Sequence, residues 1–250
     1  MAVAILQARV GSTRLPGKVF KRIAGKPLVE VMIERVKRAR TLDRIVLATT
    51  MKEEDARLSR IAQRQHIGFF RGSENDVLDR YYEAARAFKA DVIVRLTGDC
   101  PLIDPRVVDD VVRFYLSHRS RFEYVSNIHP PTYPDGMDVE VFPLSVLERA
   151  WKEARLPSER EHVTPYIVNH PETFRLGNVS SASDYSQLRL TVDTPEDLAT
   201  VRKIVAALRA KSGEEGLTAI TALYTKTPAL FSGNSHIARN EGYQLSLESD

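Results

Sequence analysis

A cluster of basic, hydroxyl and glycine residues follows the first apolar segment of the chain, and this combination suits phosphate binding. The run Val3–Leu6 ends directly before the stretch QARVGSTRLPGK, residues 7–18. Backbone amides approach an anion closely beside glycine, and hydroxyl groups add donors. The residues concerned are Arg9, Gly11, Ser12, Thr13, Arg14, Gly17 and Lys18. We expect an anion site here, with a solvated basic turn that caps a helix as the alternative.

Two familiar phosphate-binding motifs do not fit this loop. The pattern G-x-x-x-x-G-K-[ST] requires Ser or Thr after the lysine, but Val19 follows Lys18 and the spacing from Gly11 is one residue too long. The pattern G-x-G-x-x-G is absent from the loop as well. The loop therefore needs an explanation other than these two motifs.

Two aspartates that are distant in the sequence each follow a predicted strand. Asp99 comes after Asp91–Thr97, and Asp193 comes after Arg189–Val192. Ligands of an open parallel sheet bind at the carboxyl ends of its strands, so both carboxylates are expected beside the basic loop. Sparse carboxylate coordination completed by water suits Mg²⁺. Each residue has a structural alternative, because Asp99 could form a strand-end turn and Asp193 an Asx turn or helix cap.

The elements that position these residues alternate between short β-branched runs and longer amphipathic patterns, which predicts βαβ units. The predicted strands are Val3–Leu6, Arg44–Ala48, Gly68–Arg71, Asp91–Thr97, Glu123–Ser126, Met137–Phe142, Phe174–Val179 and Arg189–Val192. The predicted helices are Leu28–Ala39, Glu53–Arg64, Asp76–Phe88, one that begins at Pro105, Leu198–Leu208 and Leu217–Tyr224. The fold class is therefore α/β, a mostly parallel sheet flanked by helices.

The chain divides into one main domain and a C-terminal extension. Residues 1–210 form the predicted domain, and a proline-rich stretch at His129–Gly136 marks an insert over residues 128–170. Beyond residue 211 the pattern weakens to one helix and a polar tail, which we expect either to dock on a partner or to be loosely held.

Composition excludes several classes of protein. Of the 250 residues, 43% are apolar, which is ample for a core. The 36 basic and 33 acidic residues are mixed along the sequence, so there is no basic block of the kind that would indicate a nucleic-acid partner. The single cysteine, Cys100, rules out an internal disulfide and fits a reducing compartment. The sequence shows no leader and no apolar run of membrane-spanning length. We expect a soluble cytoplasmic protein with no membrane partner.

Six segments in order along residues 2–200 carry a resemblance to a known family. They are QARVGSTRLPGK (Gln7–Lys18), FFRGSENDVLDRYY (Phe69–Tyr82), VRLTGDCPLIDP (Val94–Pro105), YPDGMDVEVF (Tyr133–Phe142), REHVTPYI (Arg160–Ile167) and RLTVDTPEDL (Arg189–Leu198). The chain resembles the CMP-sugar synthetase group of nucleotidyltransferases, in the cytidylyltransferase branch typified by the spore coat polysaccharide biosynthesis protein F family. The resemblance implies a Rossmann-like nucleotidyltransferase fold with a small inserted dimerisation element.

The resemblance also implies the reaction. An acceptor oxygen attacks the α-phosphate of CTP and pyrophosphate leaves, which gives a CMP- or CDP-linked precursor for surface glycan synthesis. The resemblance implies that the acceptor is a sugar acid or a phosphorylated small molecule. Homodimers are common among similar proteins, so we expect a homodimer, with the apolar segment Tyr133–Phe142 as a candidate contributor. The family equipment is a Mg²⁺ cofactor held by Asp99 and Asp193, with Lys18 and Arg14 as further catalytic residues.

Further nucleotide contacts are expected from the matching segments. Arg71 and Gly72 correspond to a segment beside the pyrimidine and ribose. Backbone groups near Ala8 and Thr97 are candidates for contact with the cytosine, and Gly98 adjoins them. Arg80 is a further candidate, although a helix-surface ion pair with Asp76 or Glu83 would explain it equally well.

The acceptor is expected on the carboxylate-bearing segments. Asp138 and Glu140 share one face of the predicted strand, where they could bind acceptor hydroxyls or one could act as a base. Glu161 and His162 match the acceptor-side segment of the family, and a histidine near neutral pKa could assist proton removal. A half-exposed edge strand and a purely structural histidine are the alternatives.

Two other functional classes compete with nucleotidyl transfer. A glycosyltransferase of similar topology would use an activated sugar nucleotide and commonly carries D-x-D, whereas this chain has Gly98-Asp99-Cys100. A nucleotide-binding module without turnover would predict loss of Lys18, Asp99 or Asp193, and all three are present. The histidines show no spacing that predicts a zinc site.

Overall fold

A mostly parallel sheet runs through the computed structural model, which describes residues 1–211 and 216–250. The strands are β1 Ala2–Gln7, β2 Arg22–Ile23, β3 Lys26–Pro27, β4 Arg44–Thr50, β5 Gly68–Gly72, β6 Val92–Thr97, β7 Tyr124–Ser126, β8 Glu140–Pro143 and β9 Leu176–Asn178. The helices are α1 Leu28–Val36, α2 Leu58–Arg64, α3 Val77–Ala87, α4 Pro105–His118, α5 Leu144–Glu153, α6 Pro157–His162, α7 Pro165–Val168, α8 Pro195–Lys211, α9 Leu217–Lys226 and α10 Glu241–Leu247. The 3₁₀ helices are Lys18–Phe20, Glu53–Arg57 and Pro228–Asn234.

Seven of the described strands form one sheet in the order β5-β4-β1-β6-β8-β7-β9. Strands β5, β4, β1 and β6 are parallel, and β8 runs antiparallel to both of its neighbours. The predicted α/β fold class is confirmed. Because β1 and β6 are adjacent and parallel, the basic loop after β1 and the Gly98-Asp99 turn after β6 lie at the same edge.

The alternation of side chains along β1 produces a core on each face of the sheet. Ala4 and Leu6 lie in a core cluster with residues of α1, α4 and α8, whereas Val3 and Ile5 lie in a second cluster with residues of α3 and α5. All four side chains are fully buried. A strand buried on both faces is the expected result of a continuous apolar run inside a parallel sheet.

Polar side chains cap the starts of two helices. Asp104 accepts a hydrogen bond from the amide of Arg106 at 2.8 Å, and Pro105 opens α4. Thr194 Oγ1 accepts from the amide of Asp197 at 3.2 Å as α8 begins. The predicted helix Glu53–Arg64 differs, because its first turn is 3₁₀.

Two predicted strands are wrong, one in part and the other throughout. Only the last residues of Met137–Phe142 pair in the sheet, because the side-chain amide of Asn127 occupies the backbone groups of residues 137–139. Asn127 Nδ2 donates to Met137 O at 2.8 Å, and Asn127 Oδ1 accepts from Val139 N at 2.9 Å. Residues 189–192 form no strand, since they lie against loop backbone, with an isolated parallel bridge between Arg189 and Asp135.

The predicted insert, residues 128–170, is built into the sheet through β8. Its apolar residues Tyr133, Met137, Val139, Val141 and Phe142 are buried in the two cores of the chain itself. These side chains are therefore engaged within the chain itself, and the homodimer, with the contribution of this segment to it, stays a prediction.

The C-terminal extension packs on the main domain rather than standing apart. Ile220, Leu223 and Phe231 are buried in the same cluster as Ala4 and Leu6. By contrast, α10 buries none of its side chains. The expectation of a loosely held or partner-docked tail does not match this packing. Within the described residues, none of the helices has both the length and the apolar composition that a membrane crossing requires.

Candidate active site

A cavity of about 670 Å³ opens at the carboxyl edge of β1 and β6. It brings together most of the side chains that the sequence predicts for the site. Those that line it are Ala8, Arg9, Ser12, Thr13, Arg14, Lys18, Arg80, Thr97, Gly98, Asp99, Asp138, Glu140, Glu161, His162 and Asp193. A cavity of this size lies in the usual range for small-molecule sites.

The turn after β6 approaches β1 closely at Gly98. Its amide donates to Gln7 O at 2.8 Å, and a Cβ at this position would lie 2.5 Å from the same carbonyl. Only glycine fits this contact, because real Cβ atoms do not approach a carbonyl oxygen so closely. The contact places Asp99 next to the start of the basic loop.

A buried aspartate that sequence reasoning missed holds the basic loop in place. Asp55, in the 3₁₀ helix Glu53–Arg57, accepts from the amide of Val10 at 2.6 Å and from the Thr50 hydroxyl. The amide of Gly17 donates to Val10 O at 3.2 Å, which closes the loop on itself. The loop is therefore fixed from both sides, and its cations project from a defined backbone.

Lys18 joins the two aspartates that the sequence pairs as metal ligands. Its Nζ lies 2.9 Å from Asp99 Oδ2 and 2.7 Å from Asp193 Oδ1. Burial alone would lower the pKa of Lys18, but the two carboxylates outweigh it and raise the pKa above its usual value. Burial would likewise raise the pKa of Asp99, but the charge and hydrogen bond of Lys18 lower it to about 2. Lys18 and Asp99 are therefore both charged at neutral pH.

The donor set fits a magnesium ion. Oxygens of two carboxylates lie within hydrogen-bonding distance of one ammonium nitrogen, so a cation already sits between them. Among the described residues no three acidic, histidine or cysteine side chains group into a metal site of their own. Two carboxylates with the remaining positions left to water and phosphate match the preference of Mg²⁺.

Arg14 reaches from the basic loop to the C-terminal helix. Its Nη2 lies 3.2 Å from Asp193 Oδ2, and its Nη1 lies 2.6 Å from Glu241 Oε2 in α10. Asn240, Gly242 and Tyr243 also line the cavity. The tail therefore forms part of the wall of the site, although nothing in the sequence pattern had connected it to the basic loop.

The two carboxylates predicted to lie on the acceptor side, Glu140 and Asp138, differ in their partners. Glu140 is buried against Arg95 and accepts from the Tyr124 hydroxyl at 2.6 Å. Burial would raise the pKa of Glu140, but Arg95 and these hydrogen bonds lower it. Asp138 pairs with Arg239, yet burial and neighbouring carboxylates raise its pKa to about 7. Of these two carboxylates, Asp138 is therefore the one that titrates near neutral pH.

His162 is held by the C-terminal helix. Its Nε2 lies 2.9 Å from Ser246 Oγ, and that hydroxyl is also 2.9 Å from Glu161 Oε2. The ring of Tyr243 contacts the imidazole edge-on, with ring centroids 5.2 Å apart. Burial lowers the pKa of His162 from its usual value, so the imidazole is neutral at pH 7.

The comparison with known proteins agrees with this geometry. A sequence model of the family described as cytidylyltransferase matches residues 3–232. The chain belongs to the cytidylyltransferase family. Residues 233–250, which include α10, lie beyond the matched part.

Individual relatives of this cytidylyltransferase agree in sequence and structure. The chain is 36% identical over 217 residues to the spore coat polysaccharide biosynthesis protein SpsF of Bacillus subtilis, covering 84% of this chain and 87% of that protein. A cytidylyltransferase structure from Leptospira borgpetersenii aligns with a TM-score of 0.89 at 36% identity, over 95% of this chain and 99% of that one. A CTP complex of CMP:2-keto-3-deoxy-manno-octonic acid synthetase shares the fold, with a TM-score of 0.63 at 20% identity over 82% and 98% of the two chains. The predicted family is confirmed.

Three residues predicted to bind nucleotide lie outside the cavity of the cytidylyltransferase. Gly11, Arg71 and Gly72 are absent from its lining. The Arg71 guanidinium instead donates to the carbonyls of Thr50, Met51 and Lys52 at 3.1, 2.6 and 2.9 Å. These hydrogen bonds secure the turn after β4. A guanidinium at a strand end can bind either a ligand or nearby carbonyl groups, and that of Arg71 binds the carbonyls.

Arg80 does line the cavity, and its helix-surface alternative is wrong. The residue is 2% exposed and donates to Ser73 O. The expected partners are engaged elsewhere, because Asp76 caps α3 and pairs with Arg160, while Glu83 pairs with Arg86.

Sequence reasoning also missed several charged residues of the site. Arg95, Asp135, Arg160, Arg189 and Glu241 line the cavity. Four of them, Arg95, Asp135, Arg160 and Arg189, lie within the segments that carry the family resemblance, so the charged residues of those segments were the available signal. For Glu241 the sequence offered none.

Proposed function

We propose that this cytidylyltransferase transfers CMP from CTP to an oxygen of a sugar acid and releases pyrophosphate. The observation that carries the proposal is the convergence of Lys18, Arg14, Asp99 and Asp193 at one sheet edge. Cations for a triphosphate and carboxylates for its counter-ion thus meet in one cavity. The name of SpsF supports a role in polysaccharide biosynthesis. A sugar acid is supported by 36% identity over 120 residues to a 3-deoxy-manno-octulosonate cytidylyltransferase of Trichlorobacter lovleyi, covering 46% of this chain and 45% of that protein.

In the proposed reaction the basic loop exchanges carboxylate partners for phosphate oxygens. Lys18 and Arg14 are neutralised by Asp99, Asp193 and Glu241 in the free protein. A bound triphosphate offers competing anionic oxygens, so the two cations can turn to the charge that develops on the transferred phosphoryl group. Magnesium, held by Asp99 and Asp193, would neutralise further phosphate charge and polarise the reacting group.

The acceptor half is proposed to lie between Asp138, Glu140, Glu161 and His162. His162 is a candidate for taking the proton of the attacking hydroxyl, because its imidazole is neutral at pH 7 and lines the cavity. Glu140 is locked in its pair with Arg95 and is better suited to shaping the pocket than to moving a proton.

A pyrophosphate-release assay tests the proposal. The purified protein is mixed with Mg²⁺, each of the four NTPs in turn, and an acceptor panel of sugar acids, including 3-deoxy-manno-octulosonate, and phosphorylated sugars. We expect release only with CTP and a sugar acid, and none in excess chelator. Release with a phosphorylated sugar alone would overturn the acceptor class. No release with any combination, together with heat from magnesium-CTP in calorimetry, would indicate a binding module, and turnover of a sugar nucleotide would indicate a glycosyltransferase.

A further inference from the structure

A single buried guanidinium joins three carboxylates at the wall of the cavity. Arg189 Nη2 lies 3.1 Å from Asp193 Oδ2, and Nη1 lies 2.7 Å from Asp135 Oδ2. The Nε and Nη2 atoms donate to the two oxygens of Asp197 at 2.9 and 3.0 Å. The Arg189 side chain is 6% exposed, so these contacts are shielded from water.

Neutral donors offset the surplus negative charge of this cluster. Asp197 Oδ2 accepts from the amides of Asp193 and Thr194 at 2.9 and 3.0 Å. Asn234, at the end of the 3₁₀ helix Pro228–Asn234, donates from Nδ2 to Asp197 Oδ1 at 2.8 Å and to Arg189 O at 3.1 Å. Asn234 is 0% exposed and lies just beyond the part of the chain that the family model matches. The cluster is thus completed by a residue of the C-terminal extension.

The cluster decides how the carboxylate of Asp193 is presented. Arg189 holds Oδ2 from within the cluster and Arg14 contacts the same oxygen from the loop at 3.2 Å, which leaves Oδ1 directed at Lys18, 2.7 Å away. The same guanidinium also fixes the loop that carries Asp135, and this loop packs tightly: a Cβ on Gly136, whose φ is +98°, would lie 2.6 Å from the Thr191 amide. One side chain therefore links the carboxylate proposed for the metal to the start of the acceptor segment.

We propose that Arg189 and Asn234 are positioning residues for the carboxylate of Asp193, with Arg189 orienting it directly and Asn234 holding Arg189 and Asp197 in place. The inference rests on the proposed function, because Asp193 matters as a ligand only if magnesium-CTP binds. Buried ion pairs contribute little net stability by themselves. Groups that orient a metal ligand typically change metal affinity or activity by about 10- to 100-fold when they are altered.

The test compares Arg189→Lys and Asn234→Ala in the full chain by calorimetry, titrating CTP once with Mg²⁺ and once in excess chelator. Arg189→Lys keeps the charge but loses the planar fork of donors. Both variants are expected to weaken CTP binding by about 10- to 100-fold with Mg²⁺ and to leave the chelator titration within about twofold of wild type. The Mg²⁺ concentration for half-maximal turnover should rise by a similar factor.

Arg202→Lys is the matched control, because Arg202 makes an exposed hydrogen bond to Arg22 O at 2.9 Å outside the cavity. It should match wild type in both titrations. Thermal unfolding is followed for every variant. A loss of binding that is equal with Mg²⁺ and with chelator would show a purely structural role and overturn the inference, as would wild-type values in both variants. Absence of magnesium-CTP binding by the wild-type protein would instead overturn the proposed function.

Discussion

Lys18 performs two tasks in the free protein, because it keeps Asp99 and Asp193 close together and screens their mutual repulsion. Asp99 and Asp193 would hold a magnesium ion in the proposed function, its charge would supply the same screening, and the Lys18 ammonium group could then contact phosphate. The residue is therefore expected to act on both the metal and the nucleotide. Replacing any member of this triad should impair the same step.

We expect Lys18→Ala, Asp99→Asn and Asp193→Asn each to lower turnover by about 10²-fold or more, since each removes charge stabilisation of the transition state. The measurement is the steady-state rate of pyrophosphate release at saturating CTP and Mg²⁺. Lys26→Ala serves as control, because Lys26 pairs with Glu34 on the surface away from the cavity. A near-normal rate for Asp99→Asn would contradict its assignment to the metal.

Asp138 should make the stability of the protein depend on pH. Its pKa is raised from an ordinary value near 4 to about 7, with Arg239, Asp135, Glu140 and Asp99 as the charged groups around it. Between these two pH values the folded protein holds a proton that the unfolded chain has released, so this contribution to stability falls as pH rises.

The variant Asp138→Asn carries an uncharged amide that does not titrate. The free energy of unfolding of the variant minus that of wild type should therefore increase from pH 5 to pH 8, because only the wild-type protein loses this contribution. Urea denaturation at each pH measures the difference. Using the difference between the two proteins cancels the other titrating groups. A difference that is the same at both pH values would contradict the raised pKa.

Helix α10 is attached to the site almost entirely through polar contacts. Glu241 pairs with Arg14, Ser246 contacts Glu161 and His162, and none of the helix side chains is buried. Because few apolar contacts hold the helix, its position is expected to respond to charge that enters the cavity. A triphosphate competes directly with Glu241 for the guanidinium of Arg14.

Removing that competition should favour the nucleotide. Glu241→Gln is expected to tighten magnesium-CTP binding by about two- to fivefold in calorimetry, which is the range for an ion pair whose carboxylate is 44% exposed. Glu248→Gln, an exposed carboxylate just after the same helix, is the control. Weaker binding by Glu241→Gln would mean that the carboxylate assists the nucleotide.

The elements also show which features the sequence could predict. Strands β1, β4, β5 and β6 were predicted to within one or two residues, because continuous apolar runs in a parallel sheet have a clear pattern. Residues 137–139 were mispredicted because their partner is the side chain of Asn127, which no local pattern reveals. Arg71 was assigned to the nucleotide because charge at a strand end is ambiguous between a ligand and neighbouring carbonyls.

The site was predictable where it rests on strand ends and not where it rests on distant contacts. Lys18 and Asp99 follow from the edge that the parallel strands β1 and β6 share. Asp193 was expected at this edge because a strand was predicted over residues 189–192, and it lies there although that segment forms no strand. The contact of Arg14 with Glu241 joins residues 227 positions apart, and the buried pair of Asn234 with Asp197 depends on how the extension folds back. Neither contact produces a periodicity or spacing that could be read in the sequence.

The middle of the C-terminal extension packs on the main domain, and the end of the extension reaches the site. Ile220, Leu223 and Phe231 complete the core on one face of the sheet, and Asn234 follows directly. The position of Asn234 therefore depends on the burial of Phe231. Stability and the geometry of the site are coupled through this short segment.

Replacing Phe231 tests that coupling. Phe231→Ala removes a side chain that is 6% exposed and should lower the unfolding free energy by about 3 kcal/mol in urea denaturation, because it leaves a cavity in the core. Leu245→Ala, at a position 55% exposed on α10, should change it by less than about 0.5 kcal/mol. Equal effects of the two variants would mean that the extension is not part of the core. Phe231 is buried just before Asn234, whereas Leu245 is exposed on α10. Weaker magnesium-CTP binding by Phe231→Ala but not by Leu245→Ala would therefore show that the fold of the extension and the orientation of Asp193 are coupled.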